Sequence, residues 1–218
     1  MELRKLYRHR FDPNDVLAKE RIWRVLCEDY FSRWVSADDT IVDVGAGYCE
    51  FINNIQGKRK IAVDINPDVR RFANPGIEII NEPCTQLSSL ESGFADVVFM
   101  SNFLEHLPNK AAVFETLSEA KRILKTGGKL MILQPNIRFL AGEYWDFFDH
   151  HTPLSDRSLA EALESLDMHI DVMIPRFLPY TTKSRLPKGP LLVKLYLVVP
   201  IVWRVLGRQA FVVASKRP

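Results

Sequence analysis

Residues 41–50 read Ile41-Val42-Asp43-Val44-Gly45-Ala46-Gly47-Tyr48-Cys49-Glu50. Ile41, Val42 and Val44 have strand character, and they run directly into two glycines one residue apart and then into a helix-compatible segment, Cys49 to Ile55. The order predicts a strand, a tight turn and a helix start. Glycine at 45 and 47 lets the backbone take positive φ and lets a ligand approach where a Cβ would clash, so the turn is suited to seating a small molecule. A dinucleotide fingerprint would place a third small residue at position 50, beside the pyrophosphate. Glu50 stands there instead and would repel a phosphate. A nucleoside ligand that carries positive charge and no phosphate meets no such objection.

The next strand, Lys60-Ile61-Ala62-Val63-Asp64, ends in a carboxylate. Together the two segments resemble motif I and the following acidic residue of the class I S-adenosylmethionine-dependent methyltransferases, whose loop reads acidic-x-Gly-x-Gly-x-Gly. Asp43, Gly45 and Gly47 match it, and Cys49 replaces the third glycine, where it is expected to narrow the loop slightly. The resemblance implies S-adenosyl-L-methionine as cofactor, with Asp64 accepting hydrogen bonds from both ribose hydroxyls and Asp43 beneath the loop near the methionine ammonium. Capping of the following helix by Asp64, and bonding of turn amides by Asp43, are the plain structural alternatives. Ile65 and Ser101, at the ends of the second and fourth strands, join the cofactor set. Glu82 and Cys84, in the loop after the third strand, are placed to touch the adenine, because ligands of open parallel sheets bind at the strands' C-terminal ends. Cys84 is expected to be a wall residue.

With 218 residues, 47% hydrophobic and 26% charged, the chain is read as one domain able to bury a full core. A helical segment over 1–39 precedes a core over 40–218. The formal net charge of +2 argues against a nucleic-acid partner on electrostatic grounds. Three widely spaced cysteines without a C-x-x-C pair indicate neither a disulfide framework nor a zinc site, so a reducing cytoplasm is expected. The N-terminus has no apolar signal-like region, and no run reaches the length of a membrane span.

Apolar spacing predicts a helix from Asp15 to Val35, with Trp23, Leu26, Cys27, Tyr30, Phe31 and Trp34 on one face. Before it, Tyr7-Arg8-His9-Arg10-Phe11 is either solvated surface or, by the resemblance, a flap over the cofactor. Strands are expected at Ile77–Ile80, Phe94–Met100, Lys129–Leu133, His169–Ile174 and Gln209–Ser215. Helices are expected after Asn109, with Val113, Phe114, Leu117 and Leu124 inward, and from Ser155 to Leu166. Strand and helix alternate, which specifies a parallel sheet with right-handed crossovers. The fold class is α/β: a Rossmann-like, doubly wound, seven-stranded sheet, mostly parallel with the last strand antiparallel and helices on both faces.

The fourth strand ends in S-N-F-L-E-H-L-P-N, which resembles the corresponding motif of ubiquinone-biosynthesis O-methyltransferases. Methyl transfer from a sulfonium needs mainly positioning, with a general base if the acceptor is a hydroxyl. Glu105 and His106 follow the fourth strand, and His150 and His151 follow the fifth, all at the ligand-binding edge. His150 or His151, held by Asp149, could act as base or orient the acceptor. Alternatively, Glu105, His106 and His150 converge on a divalent cation, as in small-RNA 2′-O-methyltransferases, although the carboxylate those enzymes have three residues before the Glu-His pair is Asn102 here. A third reading has these groups tying loops together. Catalysis is assigned to His150, His106 and Glu105, with no metal. Tyr144, Trp145, Phe147 and Phe148 form an acceptor wall or a plug over the sheet edge.

An apolar insertion spans about 175–208. Within it, Leu191 to Leu206 is apolar nearly all round, broken by Lys194, Pro200 and Arg204. A lid over the acceptor pocket is the favoured expectation, and a peripheral membrane contact through 191–206 is the alternative. Either points to a small-molecule or lipid-linked hydrophobic acceptor. A regulatory module without catalysis and an NAD-dependent oxidoreductase are the competing functions.

Overall fold

The computed structural model describes residues 13–140, 142, 144–179 and 189–217, with side chains from residue 19 onward. The Tyr7–Phe11 cluster lies outside the described residues. Seven strands form one sheet in the order β3-β2-β1-β4-β5-β7-β6. They are β1 (Thr40–Val44), β2 (Arg59–Val63), β3 (Glu78–Ile80), β4 (Ala95–Ser101), β5 (Leu124–Pro135), β6 (Met168–Ile174) and β7 (Gln209–Lys216). β1 to β5 pair in parallel, whereas β7 runs antiparallel to both β5 and β6. The expected reversed last strand is therefore present, and it is inserted between its two neighbours.

Alternation along the central strands divides the core in two. Ile41, Val97, Phe99, Met131, Phe211 and Val213 point to one side, and Val42, Val44, Val98, Leu130, Ile132 and Val212 to the other. Period-2 burial on both faces is what a sheet sandwiched between helices requires. Helices α1 (Pro13–Asp29) and α2 (Glu50–Asn54) cover the first face, with α5 (Pro190–Val198) and α6 (Pro200–Leu206). Helices α3 (Lys110–Ile123) and α4 (Asp156–Ser165) cover the second. The first face is aromatic: Phe51 stacks on Phe99 with centroids 3.6 Å apart, and Tyr30 stacks on Phe177 at 4.4 Å.

Several elements differ from expectation for local reasons. The first helix stops at Asp29, and Phe31–Trp34 form a 3-10 turn that drives Phe31 into the core. Asn109 caps α3 through a bond from the Ala112 amide, but Phe114 is exposed, and Val113, Leu117, Ala120 and Ile123 form the buried stripe. β5 begins at Leu124, directly after α3, because Gly127, at φ 77°, carries a bulge between the Ala95–Leu124 and Val97–Lys129 pairs. The 191–206 stretch is two helices, since Pro200 cannot donate the bond that would join them.

Candidate functional site

Every parallel strand delivers its C-terminal end to one edge of the sheet, where the glycine turn, Asp64, Ser101 and Gln134 lie together. Gly45 and Gly47 adopt φ of 73° and 51°, as the turn requires. The amides of Gly45 and Ala46 both donate to the Val63 carbonyl, at 2.9 and 3.1 Å, which ties the turn to the end of β2. Cys49, in place of the third glycine, also holds the left-handed conformation at φ 60°. Its side chain is fully buried in the core, with Sγ toward the Val69 carbonyl, so it does not narrow the loop mouth as expected. Burial and the neighbouring carboxylates push its thiol pKa to about 12, which makes it inert.

Asp64 sits just past β2. Its Oδ2 accepts the Gly47 amide at 2.8 Å and its Oδ1 the Asn66 amide at 2.8 Å. One carboxylate thus fixes the loop and the next turn, and a carboxylate oxygen retains capacity for a further donor such as a ribose hydroxyl. Ile65 beside it is 68% exposed, an apolar surface on which a flat base can rest. Asp43 is buried under the loop. Desolvation, with Glu50 and Asp64 nearby, lifts its carboxyl well above the ordinary carboxylate value, against a hydrogen bond from the Ile52 amide. Lys19 of α1 is ion-paired with Glu50 at 2.5 Å. Three carboxylates around one loop favour a cationic ligand, and S-adenosylmethionine carries both a sulfonium and an ammonium.

The other expected contacts are placed unequally. Ser101 ends β4, half-buried, its Oγ accepting from Asn102 Nδ2 at 3.1 Å. Cys84 packs at the margin of the second core and accepts from the Thr116 hydroxyl at 3.2 Å, in keeping with a wall role. Glu82 folds back onto its own loop: Ser88 Oγ, Ser89 Oγ and the Ser89 amide all donate to it and hold its carboxyl below the usual range. Its charge is spent within that turn.

The second half of the site joins the turn after β4 to the loop after β5. The amides of His151 and Thr152 donate to the Glu105 carbonyl, at 2.8 and 3.0 Å, bringing the two segments into register. The Glu105 side chain is wholly buried, accepting from the Tyr144 hydroxyl and, at 3.1 Å, from Gln134 Nε2. His106 Nδ1 lies 2.9 Å from the Asp149 carbonyl and 3.4 Å from its carboxylate. His150 Nδ1 lies 2.7 Å from the Tyr144 carbonyl. Facing a carbonyl, each Nδ1 must carry the proton, which leaves both Nε2 atoms as acceptors. Asp149 therefore positions His106, whereas the sequence reading had it hold His150 or His151. The His151 side chain is exposed.

The His106 and His150 ring centroids are 4.9 Å apart, and Tyr144, Trp145 and Phe147 surround His150 at 4.2, 6.2 and 5.2 Å. The aromatic run is thus the wall around the imidazole, while Phe148 is 72% exposed and stands apart. Burial, with His106 close by, lowers the His150 pKa from 6.5, partly offset by Glu105. Ligand atoms of Glu105, His106 and His150 lie within 4.8 Å of one another, near enough to share a cation after small adjustments. Asn102, at φ 46°, offers no carboxylate to that set. Gln134, and Phe103, whose ring lies against Gly45, were missed from the sequence. Gln134 is legible only as the polar end of the apolar run Leu130–Leu133, and Phe103 only through its neighbours.

A methyltransferase-domain family model matches residues 42–132, from the first strand to the fifth. A search of curated proteins found no match. Among solved structures, a SAM-dependent methyltransferase from Archaeoglobus fulgidus is similar with a TM-score of 0.65 and 22% identity, covering 94% of this chain and 100% of that one. A SAM-dependent methyltransferase from Methanosarcina mazei gives 0.62 and 18%, over 86% and 96%. Geranyl diphosphate C-methyltransferase from Streptomyces coelicolor gives 0.61 and 16%, over 88% and 79%. These likenesses concern the fold, while the matched segment contains the glycine turn, Asp64 and the Glu105-His106 turn. Residues 42–132 thus match a methyltransferase domain, and they lie in a sheet whose fold is shared with S-adenosylmethionine-dependent methyltransferases.

Proposed function

We propose that the enzyme methylates a hydroxyl on a small or lipid-linked hydrophobic acceptor, with His150 as the proton-accepting group. One observation carries the reading: the His150 imidazole is kept neutral by burial, with its Nδ1 proton committed to the Tyr144 carbonyl and its Nε2 lone pair available inside an aromatic wall. As the sulfonium methyl passes to the acceptor oxygen, Nε2 takes the hydroxyl proton, and the neutral thioether leaves. His106, steadied by Asp149, and the Glu105–Tyr144–Gln134 cluster fix the geometry around it. An apolar acceptor suits a wall of Tyr144, Trp145 and Phe147, since acceptor pockets are mostly apolar with few placed polar groups. The similar fold of an enzyme that methylates geranyl diphosphate supports the acceptor class by analogy. The test is methyl transfer from labelled S-adenosylmethionine to a panel of phenolic, polyprenyl and amine acceptors. Transfer to amines alone would overturn the hydroxyl assignment.

A second reading rests on Gln134, whose buried Oε1 has no partner among the described residues, next to Glu105. With Glu105 and the two Nε2 atoms, it makes an acceptor-rich cluster that suits a divalent cation. Loss of turnover with a chelator, restored by Mg²⁺ or Mn²⁺, would establish that reading.

A further inference from the structure

The two helices α5 and α6 form a plate whose inner side is settled and whose outer side is not. Leu197 and Trp203 are buried, and Trp203 Nε1 donates to the Tyr196 carbonyl at 2.7 Å, so the aromatic residues face the core and α1. Outward stand Leu191, Leu192, Leu195 and Val198, at i, i+1, i+4 and i+7 on α5, and Ile201 and Val205, at i and i+4 on α6. Their exposures run from 44% to 80%. Six large aliphatic groups on two short helices are more than scattered surface apolarity.

Charge identifies the occupant. Between Pro175 and Arg208 the sequence has seven Lys or Arg and no Asp or Glu. Of those in the described helices, Lys194 pairs with Asp29 of α1 at 3.0 Å and remains half exposed, while Arg204 is exposed, as is Arg208 just beyond. A second copy of the plate would bring these cations against themselves, because a two-fold interface presents the same surface from each side. Aromatic anchors, which enrich protein interfaces, are turned inward here. An aliphatic plate edged by cations matches the boundary of an anionic bilayer, where the side chains enter the acyl region and the cations meet headgroups.

We infer that the α5–α6 plate docks the enzyme on an anionic lipid surface. The plate ends at the ligand-binding edge: Asn136, at the start of the loop leading to His150, donates its amide to the Arg208 carbonyl at 3.0 Å, and Arg176 bonds the Val205 and Gly207 carbonyls at 2.6 and 3.1 Å. Docking would therefore set the acceptor wall near the membrane. The inference does not depend on the acceptor being a lipid, since the vesicles used to test it contain none of the acceptors.

The test is flotation of the full chain with phosphatidylcholine vesicles, with and without phosphatidylglycerol, at low and high salt. Binding is expected to the anionic vesicles and to weaken with salt. Leu195→Glu with Val198→Glu should lower it by more than about tenfold, given the transfer energy of two aliphatic side chains, while S-adenosylmethionine affinity stays at the parent value. No flotation with anionic vesicles, or equal flotation with neutral ones, overturns the inference. So does a concentration-dependent dimer that the double variant abolishes, because a second copy would then cover the plate.

Discussion

The Phe103 ring lies against Gly45 so closely that a Cβ on the glycine would fall 2.2 Å from its Cδ2. The turn after β4 thereby roofs the turn after β1, and only glycine fits beneath it. Gly45→Ala must also place alanine at φ 73°. The expected cost is about 1–3 kcal/mol of stability, with at least about a tenfold loss of S-adenosylmethionine affinity. Gly93→Ala is the control, because Gly93 has a similar φ of 68° and nothing near its missing Cβ. Thermal unfolding and calorimetry of both variants measure the contact apart from the backbone strain, and equal losses would remove Phe103 from the explanation.

Asp64→Ala should weaken S-adenosylmethionine binding by about 1.5–3 kcal/mol, the usual size of hydrogen bonds to a charged group. Because Asp64 also holds the Gly47 amide, the loop should loosen, seen as faster hydrogen exchange at residues 45–48. Asp64→Asn keeps one acceptor and should show a smaller change in both. An unchanged dissociation constant in the alanine variant would take Asp64 out of the cofactor site.

Asp43 is buried with its pKa raised, so its ionised form opposes folding. The stability it contributes is present below the ordinary value of 3.8 and is lost as pH rises through the raised folded value. Asp43→Asn should then raise the melting temperature of the ligand-free protein at neutral pH, by about 2–4 °C for each kcal/mol recovered. The same variant should bind the cationic cofactor less tightly. Melting curves from pH 4 to 8, with and without S-adenosylmethionine, test both. A neutral-pH melting temperature below the parent's would show that the carboxylate is needed for the fold.

His150→Gln keeps much of the side-chain volume but removes basicity, so turnover should fall about a hundredfold while cofactor affinity is unchanged. The parent's acid limb should lie below pH 6.5, because burial and His106 favour the neutral ring, and activity is lost only as pH falls through that lowered value. The variant should lack this limb. Parent-like rates in His150→Gln and His106→Gln alike would mean that positioning alone supports transfer.

Period-2 alternation and the two glycines made the sheet readable, because both are local and both are enforced by burial on two faces. The carboxylate and amide network was less accessible. Glu105 gives no sequence sign that it will be fully buried under Tyr144 and Gln134, 39 and 29 residues away. Asp149 adjoins His150 in sequence, yet the turn sends its carboxylate to His106. Such partnerships depend on loop paths at the sheet edge, where no periodicity constrains a side chain's direction. The outward plate was legible as apolar sequence, but which residues face out depended on the break at Pro200 and on the inward turn of Trp203.

The placement of β7 between β5 and β6 governs assembly order. Among the described residues β6 hydrogen-bonds to no strand but β7, so it has no template until Gln209–Lys216 has been synthesised and inserted. During translation the first five strands can associate progressively, whereas β6 must wait without a strand partner until β7 arrives. This late, non-local closure should be the slow step in refolding and the stage at which a chaperone, or an early encounter with lipid, changes the yield.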